Sequence, residues 1–231
     1  MPRETLDRQL HHLQEEVLLL GSMVEQAMLE SVEALKRRDL NASRRIFAND
    51  QLINDKRYAI ENNILILIAT QQPMARDLRF MAAILEIITE LERMGDYAKG
   101  IAKISLRLGD EASLGETHLP LNALDFCAMA EKTVDMLHRA LGAFITANPG
   151  LAHQISLEDD QVDALYNHFH TSLIAQMIAN PALIDQASLL LWVAHNIERM
   201  ADRVTNICER TVFIATGELI EFDPDDEEET V

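Results

Sequence analysis

Residues 90–103 read ELERMGDYAKGIAK and residues 196–209 read NIERMADRVTNICE, and the two stretches align without a gap at an offset of 106. Glu92/Glu198, Arg93/Arg199, Met94/Met200, Asp96/Asp202 and Ile101/Ile207 are identical pairs. Upstream, Asp50-Gln51-Leu52-Ile53-Asn54 matches Asp159-Asp160-Gln161-Val162-Asp163 at an offset of 109, the small change being absorbed by turns. Two motifs repeated in the same order mark an internal duplication.

The repeated unit is helical. Apolar residues recur three and four apart, as in Leu78, Met81, Leu85, Ile88 and Leu91, and β-branched alternation is absent. Prolines at 2, 73, 120, 149, 181 and 224 stand between the periodic stretches, where proline starts or stops helices. The pattern predicts helices over about 4–38, 41–71, 74–108, 120–147, 151–180 and 182–216. Three long helices joined by short turns pack antiparallel, so the expected fold is all-α, two tandem antiparallel three-helix bundles. The expected division is a first bundle over 1–109, a linker over 110–118, a second bundle over 119–217 and an acidic tail over 218–231.

Twenty Lys and Arg against 38 Asp and Glu give the 231-residue chain a net charge of −18, a field that repels nucleic acid. Eight of those negative charges, from Glu218 to Glu229, fall in the C-terminal run, which reads as a solvated tail. Cys127 and Cys208 are far apart and outside any CxxC pair, as expected of reduced thiols in a cytoplasmic protein. The longest apolar runs, Ile64 to Ala69 and Leu189 to Ala194, are far short of a membrane span, so direct membrane insertion is not expected.

At about 100° per residue, Glu92 and Asp96 lie within about 20° of the stripe containing Leu85, and Glu198 and Asp202 repeat this relative to Leu191. Carboxylates one turn apart repel, and something cationic should offset the cost. Asn54 and Glu92 each lie 19 residues from Pro73, and Asp50 and Asp96 each 23, so an antiparallel hairpin sets them level. Asp163 and Glu198, and Asp159 and Asp202, are level about Pro181 in the same way. The candidate metal ligands are therefore Asp50, Asn54, Glu92 and Asp96 in the first unit and Asp159, Asp163, Glu198 and Asp202 in the second. Oxygen donors favour hard cations such as Mg²⁺, Mn²⁺, Ca²⁺ or iron, and bridging carboxylates allow a cluster. A docking surface for a basic protein loop and plain salt bridging are the alternatives. His170 and His195 share the face of the second set and are candidate ligands there only.

Arg93 and Arg199 point away from these acids and are expected to bridge to neighbouring helices; Gly95 and Ala201 should permit close helix approach. No nucleophile elbow, phosphate loop or HExxH is present, so an enzyme is not expected. The strongest enzyme alternative is a carboxylate-bridged metal hydrolase or oxidase in a helical bundle, but the Glu-x-x-His of that class is missing: Gly95 and Ala201 follow Glu92 and Glu198 at the third position.

The doubled motif, Glu92-Arg93-Met94-Gly95-Asp96 and Glu198-Arg199-Met200-Ala201-Asp202, resembles the PhoU family of phosphate-signalling regulators. Gln72-Pro73-Met74-Ala75-Arg76-Asp77-Leu78-Arg79 and Thr216-Gly217-Glu218-Leu219-Ile220-Glu221-Phe222-Asp223 resemble that family's turn and C-terminus. The resemblance covers nearly all of residues 4–223. It implies a cytoplasmic homodimer of two three-helix bundles, a negative regulator of phosphate uptake and starvation signalling. The implied partners are the nucleotide-binding subunit of a phosphate ABC transporter and a sensor histidine kinase, with no nucleic acid. It also implies iron, manganese, magnesium or zinc, singly or clustered, on Glu92, Asp96, Glu198 and Asp202. The family commonly continues its second motif with His, where this chain has Arg203. The first copy lacks the counterpart of Asn206, so the two sites are expected to differ. Arg76 and Arg79 are candidates for partner contact.

Overall fold

The computed structural model describes residues 2–109 and 126–222. Its helices are α1 Pro2–Lys36, α2 Leu40–Gln71, α3 Ala75–Leu108, α4 Phe126–Thr146, α5 Pro149–Ser156, α6 Asp159–Ala179 and α7 Ile184–Thr216, with a 3₁₀ turn at Pro181–Leu183 leading into α7. There is no strand among the described residues, and the fold is the expected all-α bundle. The linker at 110–118 and the tail beyond residue 222 lie outside the described residues.

Turn chemistry sets the boundaries. The Asp39 carboxylate accepts hydrogen bonds from the amides of Asn41 (3.0 Å) and Ala42 (2.9 Å), and Asn148 accepts from the Leu151 amide (3.1 Å) with Pro149 in the first helical turn. Helix α7 ends at Gly217 in the left-handed region, φ 84°. A Cβ there would stand 2.1 Å from Arg79 Nη1, so Arg79, a candidate for partner contact or for a solubilising helix-start charge, packs against the end of α7. Gly217→Ala is expected to cost about 1–2 kcal/mol, read as a lower urea midpoint with unchanged slope.

The expected helix over 151–180 is two helices. The chain breaks at Leu157 and Glu158, where the Glu158 carboxylate is held to α4 by Lys132 and by both terminal nitrogens of Arg139 (2.7 and 2.6 Å). The run Glu158-Asp159-Asp160 also suits a helix start, where the macrodipole favours negative charge. The corresponding helix of the first half, α2, runs unbroken through Asp50.

Helices α1, α2 and α3 pack together, as do α4, α5, α6 and α7, and α3 lies along α7, joining the halves. One continuous apolar core results, in which Leu91, Met94 and Ala98 of α3 meet the cluster containing Ile197, Met200 and Val204 of α7. Close approach of α1 to α4 depends on Gly21, where a Cβ would lie 2.2 Å from Leu141 Cδ1. This shared core holds the two ExxxD helices side by side.

Candidate functional site

In the first unit Asp50 is 95% buried, which its polar neighbours make tolerable: Lys99 Nζ donates to Oδ2 at 2.6 Å and Asn54 Nδ2 donates to the same oxygen at 3.1 Å. The ammonium also stands 3.8 Å from Asp96 Oδ1 and 5.6 Å from the Phe47 ring centre. Its hydrogen bond to Asp50 raises the Lys99 pKa. Burial, with Asp96 and Asp50 adding repulsion, raises that of Glu92, while Arg57 and Arg93 oppose the shift. Gly95 permits the approach that its small size suggested: a Cβ would meet Ile53 of α2 at 3.1 Å.

The second unit lacks such an ammonium. Burial, compounded by repulsion from Asp163, Asp202 and Glu198, pushes Asp159 up to about 7. Burial, then Asp202 and Asp163, does the same to Glu198. Asp163 and Asp202 are also raised, chiefly by burial. Asp159 Oδ1 and Glu198 Oε2 are buried oxygens without a hydrogen bond; His195 Nδ1 lies 3.2 Å from Glu198 Oε2 without forming one. Arg203 Nη2 stands 3.8 Å from Asp202 Oδ2, but its Nη1 reaches Glu90 Oε2 at 3.3 Å. As placed, no three His, Cys, Asp or Glu side chains among the described residues are close enough to hold a metal ion. The carboxylates share one region without closing on a point, as like charges only partly offset by Arg203, Arg199 and His195 should.

His195 sits beside the acids, whereas His170 lies tilted against Tyr166 with ring centres 6.0 Å apart. Arg199 bridges to the other motif helix as expected, donating to the Tyr97 hydroxyl at 3.0 Å. Arg93 does not; it pairs with Glu90 on its own helix at 3.0 Å, because Glu90 is one turn back and largely buried. Glu90 is a bridging residue that the sequence expectations passed over. It accepts hydrogen bonds from Arg93, from Arg203 and from Asn206 Nδ2 (3.2 Å), tying α3 to α7.

Residues 17–105 and 126–211 match the family described as PhoU domain, and these segments contain all eight candidate ligands. The chain belongs to the PhoU family. It is 34% identical over 223 residues to the phosphate-specific transport system accessory protein PhoU homolog of Clostridium acetobutylicum, covering 96% of this chain and 99% of that one. It is 31% identical to the phosphate-specific transport system accessory protein PhoU of Escherichia coli, covering 91% and 85%. The crystal structure of the phosphate transport system regulatory protein PhoU from Streptococcus pneumoniae superposes with a TM-score of 0.83 at 33% identity, over 94% of this chain and 99% of that one. PhoU from Pseudomonas aeruginosa gives 0.83 at 25% identity, over 92% and 99%. Among the described residues no helix is long and apolar enough to cross a membrane.

As placed, neither acidic set of this PhoU-family chain closes on a cation, and the second comes nearer to suiting one. It offers oxygen donors, two of them buried and without hydrogen bonds, and repulsion that a positive ion would relieve. In the first, the most buried carboxylate is already paired with Lys99.

Proposed function

We propose that this chain is a negative regulator of phosphate uptake and starvation signalling that works as an adaptor, without turnover. It would dock, as a cytoplasmic homodimer, on the nucleotide-binding subunit of a phosphate ABC transporter and on a sensor histidine kinase. Family membership and the names of its relatives support the pathway. Apolar side chains exposed along α2, among them Leu52, Leu65 and Ile66, suit a protein that meets other chains.

The second acidic set would hold a hard divalent or trivalent cation through Asp159, Asp163, Glu198 and Asp202. The observation that carries this is the pair of buried oxygens without hydrogen bonds, on Asp159 and Glu198. A bound cation would supply the positive charge that lets all four acids ionise at neutral pH. The protein's own part is to bring α6 and α7 together at that height and to keep Arg203 tied to Glu90. A regulator needs two states with different affinity for a partner, and ordering of this acidic surface provides one difference.

Carboxyls poised near pH 7 are also what a general base requires, which keeps the carboxylate-metal hydrolase as the second reading. One experiment separates the two. Binding of the full chain to the purified nucleotide-binding subunit and to the kinase is measured with and without Mn²⁺, alongside phosphatase assays. The adaptor reading expects no turnover and affinity at least about tenfold lower for Glu198→Gln or after chelation. Phosphatase activity lost in Glu198→Gln would establish the enzyme instead, and failure to bind either partner would remove the adaptor.

A further inference from the structure

The two units differ at the positions that set their charge. Lys99 and Arg57 of the first unit align with Thr205 and Tyr166 of the second, and Asn54 aligns with Asp163. The first set therefore combines three carboxylates and an amide with two cationic side chains at these positions, whereas the second has four carboxylates and neither of those cations; its own basic groups, Arg203 at 3.8 Å from Asp202 and His195 at 3.2 Å from Glu198, leave Asp159 Oδ1 without a hydrogen bond. The coordinates show what this does. Lys99 Nζ reaches Asp50 Oδ2 at 2.6 Å and faces Asp96 Oδ1 at 3.8 Å, its ammonium lying between α2 and α3. Asp50 Oδ2, shared by Lys99 and Asn54, is an occupied acceptor, unlike its counterpart Asp159, whose Oδ1 lacks a hydrogen bond.

We propose that Lys99 is a built-in counter-ion taking the place of a metal in the first unit, so that this chain carries one cation site, in the second unit, where Thr205 leaves the position uncharged. The proposal rests on the reading of the second set as a cation site. An ammonium with three donors on a flexible stem can satisfy a buried carboxylate as a compact positive charge. Adding a divalent cation at Asp50 would require expelling an amine already bound there, so the first unit should stay metal-free at concentrations that fill the second. The units would then play different parts: one permanently closed by a side chain, the other closed only when a cation is available.

The test is Mn²⁺ uptake by chelator-stripped full-length protein, measured by equilibrium dialysis with elemental analysis. Wild type is expected to take up Mn²⁺ at the second set alone. Glu198→Gln should lose saturable uptake, and adding Lys99→Thr to it should restore a saturable site that Asp50→Asn then removes. Saturable uptake by Glu198→Gln with Lys99 intact, lost on Asp50→Asn, would overturn the proposal. So would a Glu198→Gln/Lys99→Thr protein that folds by circular dichroism yet binds nothing. If that variant does not fold, Thr205→Lys decides: uptake should fall at least about tenfold and the metal-free melting temperature should rise, whereas unchanged uptake overturns the proposal. Failure of the underlying reading looks different, since wild type would then bind no Mn²⁺ while the Glu198→Gln/Lys99→Thr protein gains a site.

Discussion

At pH 8 the chelator-stripped chain is expected to melt roughly 5–10 °C lower than at pH 5, and excess Mn²⁺ should recover most of that loss. Asp159 and Glu198 both titrate near 7 in the folded chain, against about 4 when unfolded. Folding therefore holds protons that the unfolded chain has released, and the stability associated with these groups is complete below about pH 4 and lost as pH rises through about 7. Two shifts of this size, discounted heavily because water still reaches part of each group, leave about 2–3 kcal/mol between pH 5 and 8. At about 2–4 °C per kcal/mol for a chain of this length, that gives the stated interval. Glu158 runs the other way: hydrogen bonds from Arg139 and Lys132 hold it near 2, so its contribution is lost only as pH falls below about 4.5. From these three groups, stability should thus peak close to pH 4. Mn²⁺ at about 100 times its dissociation constant would add about 2.7 kcal/mol at pH 8 and far less at pH 5, where protons compete for the same oxygens. Melting curves by circular dichroism at both pH values check this. A flat profile, or equal stabilisation at both, would contradict an acid cluster whose repulsion is only partly offset.

What the sequence disclosed depends on how each feature is encoded. The helices follow from apolar periodicity and proline placement, whereas the pairing of α3 with α7 was not among the expectations, because periodicity shows that a stripe is buried and not which helix covers it. The break before Asp159 was hidden, since Leu157 and Glu158 keep helical backbone angles and the contacts of Glu158 with Lys132 and Arg139 come from a helix distant in sequence. Of the acids, those of the second unit lie in one another's field as hairpin geometry required. Those of the first share their surroundings with Lys99, which stands in the quoted alignment opposite Thr205. Matching identical residues passes over such a pair, although a charge present in one copy and absent from the other is what separates two sites with the same carboxylates. Glu90 was less accessible still. It aligns with Asn196, and its importance arises from a contact between halves that neither repeat contains alone.

Glu90→Ala is the substitution expected to disturb both stability and the candidate metal site. The Glu90 side chain is 12% exposed and takes three donors, Arg93, Arg203 and Asn206, two of them from the opposite half. Removing it strands Arg203, itself 17% exposed and already carrying a buried Nε without a partner. Breaking a largely buried charge network of this kind costs about 2–4 kcal/mol. Glu90→Gln should cost about half as much, since an amide oxygen still accepts from one arginine while the charge is lost. The second consequence follows from the 3.8 Å between Arg203 Nη2 and Asp202 Oδ2. Released from Glu90, the guanidinium can close that gap and neutralise one of the four acids, so Mn²⁺ affinity should fall by about tenfold or more. Urea unfolding and Mn²⁺ titration of the same preparations test the pair of effects together. Adding Arg203→Met should return much of the affinity, because it removes the competing cation without restoring the seam. An affinity unchanged in Glu90→Ala would mean that Arg203 keeps its distance from Asp202 without help, and the seam would then matter to stability alone.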